Sequence, residues 1–391
     1  MLVSDGFGSF GGIAKFNRDF LRALDGCSLV QRVHVLPRLI PEPVLEQIPE
    51  SVVYERSAAR GKATFLSRLA AHARHHKRVD LVICGHIHLL PAAWLLARLR
   101  GARLVLIIHG LEAWTQSPKR LANWLAHRVD ALVAVSKYSA ERFTRWSSRS
   151  MDQAFILPNC VDLDQFRPQD RDLRLVERYG LQSRKVILTV GRLASTERYK
   201  GFDQVIEILP QITKRFPTIK YLIVGDGDDR SRLERKVETL GLSNCVVFSG
   251  YIPESEKVAH YNLADVYVMP SRAEGFGIVL VEALACGIPV IGSRVDGSRE
   301  TLLDGRLGHL VDPNDTARLI ETMTAVLENG ASRHRFDDVE IYSTRKFNER
   351  VKIWCRSQAN EICGRANYGD TRPAIDFEFG RDDGVCDPKS R

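Results

Sequence analysis

The sequence predicts an α/β protein built from two doubly wound, parallel-sheet domains. Short, fully apolar runs alternate with amphipathic helical patterns nearly from end to end, as strands covered on both faces by crossover helices do. The chain is 391 residues long, enough for two domains at roughly 150 residues each. The rhythm breaks once near the middle, where Pro158-Asn159-Cys160-Val161-Asp162 and the run to Pro168 read as a structured linker.

In the first half, strands are expected at 2–4, 32–36, 80–84, 103–109, 131–136 and 154–157, with helical patterns such as 62–76 and 118–128 between them. The second half repeats the pattern with strands at 185–190, 219–224, 245–249, 266–269 and 289–292. The expected division is an N-terminal domain over 1–168, a C-terminal domain over 169–340 and a last helical segment over 341–363. Within that segment Phe347, Val351 and Trp354 share one face. The tail from Gly364 to Arg391 is polar and aperiodic and is expected to be disordered. The first strand has only three residues, which raises a start upstream of Met1 as an expectation.

A composition of 44% hydrophobic and 27% charged residues excludes disordered, collagenous and fibrous classes. The longest apolar run, 89–99, is too short to span a bilayer and contains Arg98. Met-Leu-Val-Ser-Asp-Gly lacks the regions of a signal peptide, so a cytoplasmic protein is expected. The eight cysteines form no Cys-x-x-Cys pair and read as free thiols, without a zinc site or disulfide framework. Charge is uneven: the net of +8 comes from the first half, and residues 51–150 alone hold 17 basic against 5 acidic side chains. That half is expected to face something anionic.

Ligands of open α/β sheets bind in loops after the strands. The first such loop, Gly8-Ser9-Phe10-Gly11-Gly12-Ile13, opens a helix, and its adjacent glycines let backbone N–H groups approach a phosphate. It fits neither a dinucleotide nor a P-loop fingerprint, and a plain tight turn reads as well. In the second half a strand ends at Arg192, and Lys200-Gly201 follows before the next helix. Two cations beside a cleft suit a leaving diphosphate; two solvated surface charges are the plainer reading. The sharpest signal is Glu274-Gly275-Phe276-Gly277-Ile278 with Glu282, a strand running into a glycine-rich loop and then a helix. Phosphate suits that helix start, Glu282 one turn inside suits ribose hydroxyls, and Glu274 sits where a sugar would project.

Glu-x7-Glu at 274 and 282, with Gly-Phe-Gly between, resembles the signature of retaining GT-B glycosyltransferases of glycosyltransferase family 4. The resemblance covers most of the chain. It includes Gly11-Gly12, His109-Gly110-x-Glu112, Val-Ser-Lys at 135–137, Pro-Asn-x-Val-Asp at 158–162 and Val-Gly-Arg-Leu at 190–193. It continues through Lys200-Gly201, Val-Gly-Asp-Gly at 224–227 and Gly250-Tyr-Ile-Pro. Cys160 stands where the linker motif commonly has glycine.

The resemblance implies two Rossmann-like domains facing a cleft, with a nucleotide-sugar donor on the C-terminal domain and an acceptor on the N-terminal one. It implies Arg192 and Lys200 on the donor diphosphate, Glu282 on the ribose, and Glu274 with the backbone of Phe276, Gly277 and Ile278 on the sugar and phosphates. Tyr251 and Ile252 would line the base, Gly11 and Gly12 the diphosphate, and His109 the sugar near the reacting carbon. Glu274 and His109 are thus the expected catalytic pair, and the last helix would cross back to the N-terminal domain. Both Glu282 and Lys200 are expected near the cleft surface, so that alanine at either leaves the fold intact.

Asp162-Leu163-Asp164 has the Asp-x-Asp spacing of metal-dependent transferases but lies in the linker, so no metal or other cofactor is expected. His72, His75, His76, His86 and His88 lack a matching carboxylate or cysteine set. The expected function is retaining transfer of a mannose- or glucose-type hexose to a glycan or polyprenyl-linked acceptor in bacterial surface polysaccharide or lipopolysaccharide assembly. The mechanism expected is front-face, with Glu274 as a covalent nucleophile the less favoured route. The alternative is a non-transferring nucleotide-sugar-binding or epimerase-like relative. A nucleic-acid partner is not expected, because no helix-turn-helix, zinc or RNA-binding signature accompanies the basic charge. A peripheral place on an anionic membrane is expected from Trp94, Trp114 and Trp124 and from a basic helix over 62–78. There Arg68, Arg74, Lys77 and Arg78 lie beside Phe65, Leu66 and Leu69.

Overall fold

Among the described residues, thirteen strands form two sheets in which every pairing is parallel. The computed structural model describes residues 1–8, 11–44, 46–75, 78–330 and 337–367. The first sheet holds β1 (Leu2–Val3), β2 (Val33–Pro37), β3 (Val52–Tyr54), β4 (Leu81–Cys84), β5 (Arg103–Ile108), β6 (Ala131–Ala134) and β7 (Ala154–Ile156). Its order is β3-β2-β1-β4-β5-β6-β7. The second holds β8 (Val186–Val190), β9 (Lys220–Val224), β10 (Val246–Gly250), β11 (Val266–Met269), β12 (Val290–Ser293) and β13 (His309–Val311), in the order β10-β9-β8-β11-β12-β13.

Both sheets therefore reverse direction of winding at one point, between β1 and β4 and between β8 and β11. Crevices at the carboxyl ends of the strands open there. The strands form because their residues are apolar on both faces: β8 and β11 are buried throughout, as are β6 and β12. Every strand read from the sequence lies within two residues of its expected bounds. Two were missed. β3 and β13 are three-residue edge strands, half covered by a single neighbour, and carry no apolar run long enough to register.

The linker is tightly packed. Leu157, Cys160, Val161, Leu163 and Phe166 are buried. Cys160 needs no left-handed backbone, and its carbonyl accepts the Lys15 ammonium at 2.8 Å. Asp162 Oδ1 accepts the N–H groups of Asp164 (3.0 Å) and Gln165 (3.2 Å), so it caps a turn. The Thr344–Asn367 helix lays Phe347 against Phe16 (5.8 Å between ring centres) and Trp354 against Phe20 (5.4 Å). Arg103 adds a 2.9 Å hydrogen bond to Gln358. One hydrophobic core thus runs from the Gly12–Asp25 helix through the linker into the second half.

The last helix continues past its expected end at 363 to Asn367, with Gly364 inside it. Glycine within a helix costs about 1 kcal/mol relative to alanine, too little to stop it. Residues 368–391, on which most of the expected disorder falls, lie outside the described residues, as do His76 and Lys77. Seven cysteines are free thiols; Cys386 is not among the described residues. No described helix is long and apolar enough to cross a membrane.

Candidate active site

The loop after β11 carries Glu274 and is pressed against the end of β5. A Cβ on Gly275 would stand 2.2 Å from the His109 carbonyl oxygen, so only glycine fits. The Ser136 hydroxyl, just past β6, donates to the Gly275 carbonyl at 2.6 Å. A second clasp lies beside it. Glu300 accepts the N–H groups of Lys137 (2.9 Å) and Tyr138 (3.1 Å), capping from the second half a helix of the first, Lys137–Ser147. These contacts bring His109 and Glu274, the expected catalytic pair, to the same junction.

Within the loop, Glu274 Oε1 accepts the Gly277 N–H at 3.1 Å. Gly277 is left-handed (φ 85°) and precedes the Ile278–Ala285 helix, which has no side-chain cap. Burial raises the Glu274 carboxyl above the ordinary carboxylate range; Lys200 is the charge that most offsets this. Asp296, after β12, accepts the Glu274 N–H at 2.8 Å and the Ser298 N–H at 3.0 Å. Its own carboxyl is pushed up to about 6 by burial.

Arg192 and Lys200 lie at the end of β8 and meet on one carboxylate, Glu197. Arg192 pairs with Oε1, and Lys200 Nζ with Oε2 at 2.6 Å. The Val-Gly-Asp-Gly motif after β9 makes this placement possible. A Cβ on Gly225 would stand 2.0 Å from the Gly191 carbonyl, and one on Gly227 2.2 Å from that of Leu193. Arg272 then donates its N–H to the Tyr199 carbonyl at 2.9 Å, tying this segment to the Glu274 loop.

On the opposite wall His109 is nearly buried, packed edge-on against Phe16 at 5.1 Å. Its Nε2 lies 3.2 Å from the Gly85 carbonyl; a carbonyl only accepts, so that nitrogen carries the proton. Burial holds its pKa below the ordinary histidine value. Glu112 Oε1 accepts the N–H groups of His109 (2.6 Å) and Gly110 (3.1 Å), which holds the carboxylate beside that backbone. Gly11 (φ 123°) and Gly12 stand exposed at the start of their helix, and a Cβ on either would meet nothing within 4 Å. Tyr251, exposed, and Ile252, half-buried, follow β10.

Glu282 departs from expectation. It is fully buried rather than near the cleft surface, with Oε2 accepting the Tyr261 hydroxyl at 2.7 Å and Oε1 the Lys257 ammonium at 3.2 Å. Glu197 and Asp296 were not singled out from the sequence, and Ser136 entered only within the Val-Ser-Lys motif at 135–137. Asp296-Gly297 shortly after a buried strand is a signal that could have been used; Glu197 gives none alone. Among the described residues no three His, Cys, Asp or Glu side chains group as a metal site.

A double Rossmann-type architecture with a cleft walled by both sheets' strand ends is the GT-B fold. Residues 10–165 match the family model described as glycosyltransferase family 4, and residues 175–339 match that of glycosyl transferases group 1. The chain belongs to this glycosyltransferase family. Among curated proteins it is 38% identical over 232 residues to a GDP-mannose-dependent alpha-(1-6)-phosphatidylinositol monomannoside mannosyltransferase of Mycolicibacterium smegmatis, covering 56% of this chain and 60% of that one. It is 28% identical to the alpha-D-kanosaminyltransferase of Streptomyces kanamyceticus over 78% of this chain and 83% of that one. The matched stretch thus spans about three fifths of the mannosyltransferase's length. Anabaena HepE, solved with UDP and glucose, superposes with a TM-score of 0.67 at 21% identity over 94% of this chain and 98% of that one, a likeness of fold.

Proposed function

We propose that this chain is a retaining hexosyltransferase. It moves a mannose- or glucose-type hexose from a nucleoside-diphosphate sugar to a glycan or lipid-linked acceptor in bacterial surface polysaccharide or lipopolysaccharide assembly. The observation that carries this reading is the placement of the Lys200 segment, joined to Arg192 through Glu197, against the Glu274 loop at the end of β11, to which the Arg272 N–H ties it. Arg192 and Lys200 take the donor's diphosphate and stabilise its charge as the glycosidic bond breaks, which makes a metal cofactor unnecessary. The N–H groups at Ile278, left by Gly277 at the start of the helix, face the same phosphates. Gly11 and Gly12 close over the diphosphate from the other wall, and Tyr251 and Ile252 border the base.

Glu274 and His109 flank the transferred sugar. The neutral imidazole orients it, while Glu274 stabilises positive charge at the reacting carbon. Retention follows the resemblance to retaining enzymes and asks for no general base from the acceptor wall, where Glu112 Oε1 accepts two backbone N–H groups. The departing phosphate oxygen then takes the acceptor proton on the same face. Glu282 positions this apparatus through Lys257 and Tyr261 rather than by touching ribose. The mannosyltransferase relative, whose name specifies GDP-mannose and a phosphatidylinositol acceptor, supports a GDP-mannose donor and a lipid-borne acceptor.

Incubating the protein with GDP-mannose, UDP-glucose or ADP-glucose and a lipid-linked saccharide, and reading the product anomer by NMR, tests this. Transfer with the donor's anomeric configuration kept is the expected result. Inversion, or protection from thermal unfolding by a donor without any transfer, overturns it; the latter would indicate a non-transferring binding protein.

A further inference from the structure

We infer that Glu197 is a built-in counter-ion of the diphosphate subsite, displaced by the incoming donor and returning to the two cations as product leaves. The inference rests on the reading of Arg192 and Lys200 as that subsite. Its own basis is the pairing seen here: the two cations that would bind the diphosphate are joined through the two oxygens of one carboxylate. Glu197 is largely buried, its side chain 14% exposed, whereas Arg192 is 69% exposed. The carboxylate bridges the exposed Arg192 and the largely buried Lys200, taking up contacts that a phosphate touching both would need.

Charge balance around the site makes this pairing distinct. Arg198 has Asp229 at 2.9 Å, Arg232 has Asp203 and Asp229 at 2.7 Å each, and Lys236 has Asp203 at 2.5 Å and Glu207 at 2.6 Å. Those cations are neutralised by carboxylates at least equal in number. Among the described residues Arg192 and Lys200 share a single ion-paired carboxylate, so the three paired side chains keep one positive charge, with Glu274 near Lys200 but outside ion-pair distance. A ligand with one negative charge gains little by displacing Glu197, since it replaces like with like. A diphosphate brings two or three charges and displaces it with a gain.

The local backbone suits such an exchange. Glu197 sits at a kink inside the short Ser195–Lys200 helical segment, with φ −120° and ψ 28°. Its carboxylate can therefore move aside without unwinding a long helix. Glu197 then discriminates diphosphates from singly charged anions, and it speeds release of the nucleoside diphosphate by taking the cations back. It is a positioning and selectivity residue, not a catalytic one.

Calorimetric titration of the wild type and of Glu197→Gln with UDP, GDP, inorganic pyrophosphate and the bare nucleosides tests the inference. Removing the carboxylate charge is expected to tighten diphosphate and pyrophosphate binding about tenfold, a factor that shrinks with salt, and to leave nucleoside binding unchanged. Steady-state turnover should show a lower donor KM with kcat equal or reduced. Glu197→Ala, which also removes the side chain's bulk, should shift diphosphate affinity in the same direction if glutamine perturbs folding. Diphosphate binding that is unchanged or weaker in both variants overturns the counter-ion role while leaving the donor-site reading in place. A wild type that binds neither UDP, GDP nor pyrophosphate overturns both.

Discussion

The Ser136 hydroxyl donates to the Gly275 carbonyl at 2.6 Å, and that one bond joins the end of β6 in the first sheet to the loop that carries Glu274 in the second. Ser136 also caps its own helix by accepting the Ser139 N–H at 3.1 Å. The junction between the two walls is therefore held by side chains of one half on backbone groups of the other. Residues there act on the distance between His109 and Glu274, and so on the reacting geometry, without touching a substrate.

Gly275→Ala is the direct probe of that distance. The new methyl group meets the His109 carbonyl, a backbone atom that cannot swing away, so the walls must separate. Turnover is expected to fall at least a hundredfold, in line with the cost of displacing reacting groups by about 1 Å. Binding of the free nucleoside diphosphate should change far less, because both of its cations, Arg192 and Lys200, lie on one wall and only the backbone at Gly11 and Gly12 reaches it from the other. A variant with near-normal kcat would show that the observed contact is not the working one.

Glu282→Ala is expected to destabilise the fold, against the reading that places this residue at the cleft surface. It leaves the Lys257 ammonium and the Tyr261 hydroxyl, both turned inward, without their shared acceptor. Breaking a buried charge pair costs about 3–5 kcal/mol, and Glu254, 3.0 Å from Lys257, holds the loss near the lower end. Urea unfolding of this variant beside Lys200→Ala separates the two cases. Lys200→Ala should lose donor affinity with little loss of stability; equal stability in both would refute the buried-pair account.

The same contrast explains what could be read in the sequence. β8 and β11 were legible because both faces are buried, which writes a continuous apolar run, and the loops after them follow from the topology. Glu274 was legible because glycines flank it. Glu282 was misplaced because eight residues fix its position on the helix but not the side chains that Lys257 and Tyr261 bring from the segment before β11. Ser136 acts through a partner far along the chain and Glu197 through partners within its own loop, and neither pairing leaves a period to detect. Of the apolar side chains read beside the basic ones on the 62–78 helix, Phe65 and Leu69 point into the core at 4–5% exposure while Leu66 is exposed, because which side of a weakly amphipathic helix is buried depends on its neighbours.

Stability should fall as pH drops from 7 toward 6. Burial holds His109, His86 and His260 below their ordinary value of 6.5, so the unfolded chain takes up protons there that the folded one refuses. Their contribution is complete above 6.5 and is lost as pH falls below it. Asp296 works the other way, its raised carboxyl favouring the folded state as pH falls from about 6 toward 3.8. The melting temperature of His109→Gln should accordingly vary less with pH between 7 and 6 than that of the wild type. An equal or steeper dependence would contradict a neutral, buried imidazole.

Membrane binding, if it occurs through the first half, should depend on a layer of three neighbouring helices. Lys62–His75, Leu90–Arg100 and Arg120–Ala126 contain six Lys or Arg and no Asp or Glu. Leu66, Leu95, Leu99 and Leu121 are exposed on them, Leu99 at 61%, and Trp124, 49% exposed, packs against Trp94 with Arg128 over its ring. Apolar side chains bordered by cations suit the headgroup region of an anionic bilayer, where each basic residue adds about 1 kcal/mol. Co-sedimentation with phosphatidylglycerol vesicles in low salt should retain the wild type and weaken in high salt. Trp124→Ala with Leu99→Ser should lose the apolar share of the affinity, and Arg74→Gln with Arg98→Gln the salt-sensitive share. No binding by the wild type, together with full transfer to a water-soluble saccharide, would assign these helices to another anionic partner and the enzyme to a soluble acceptor.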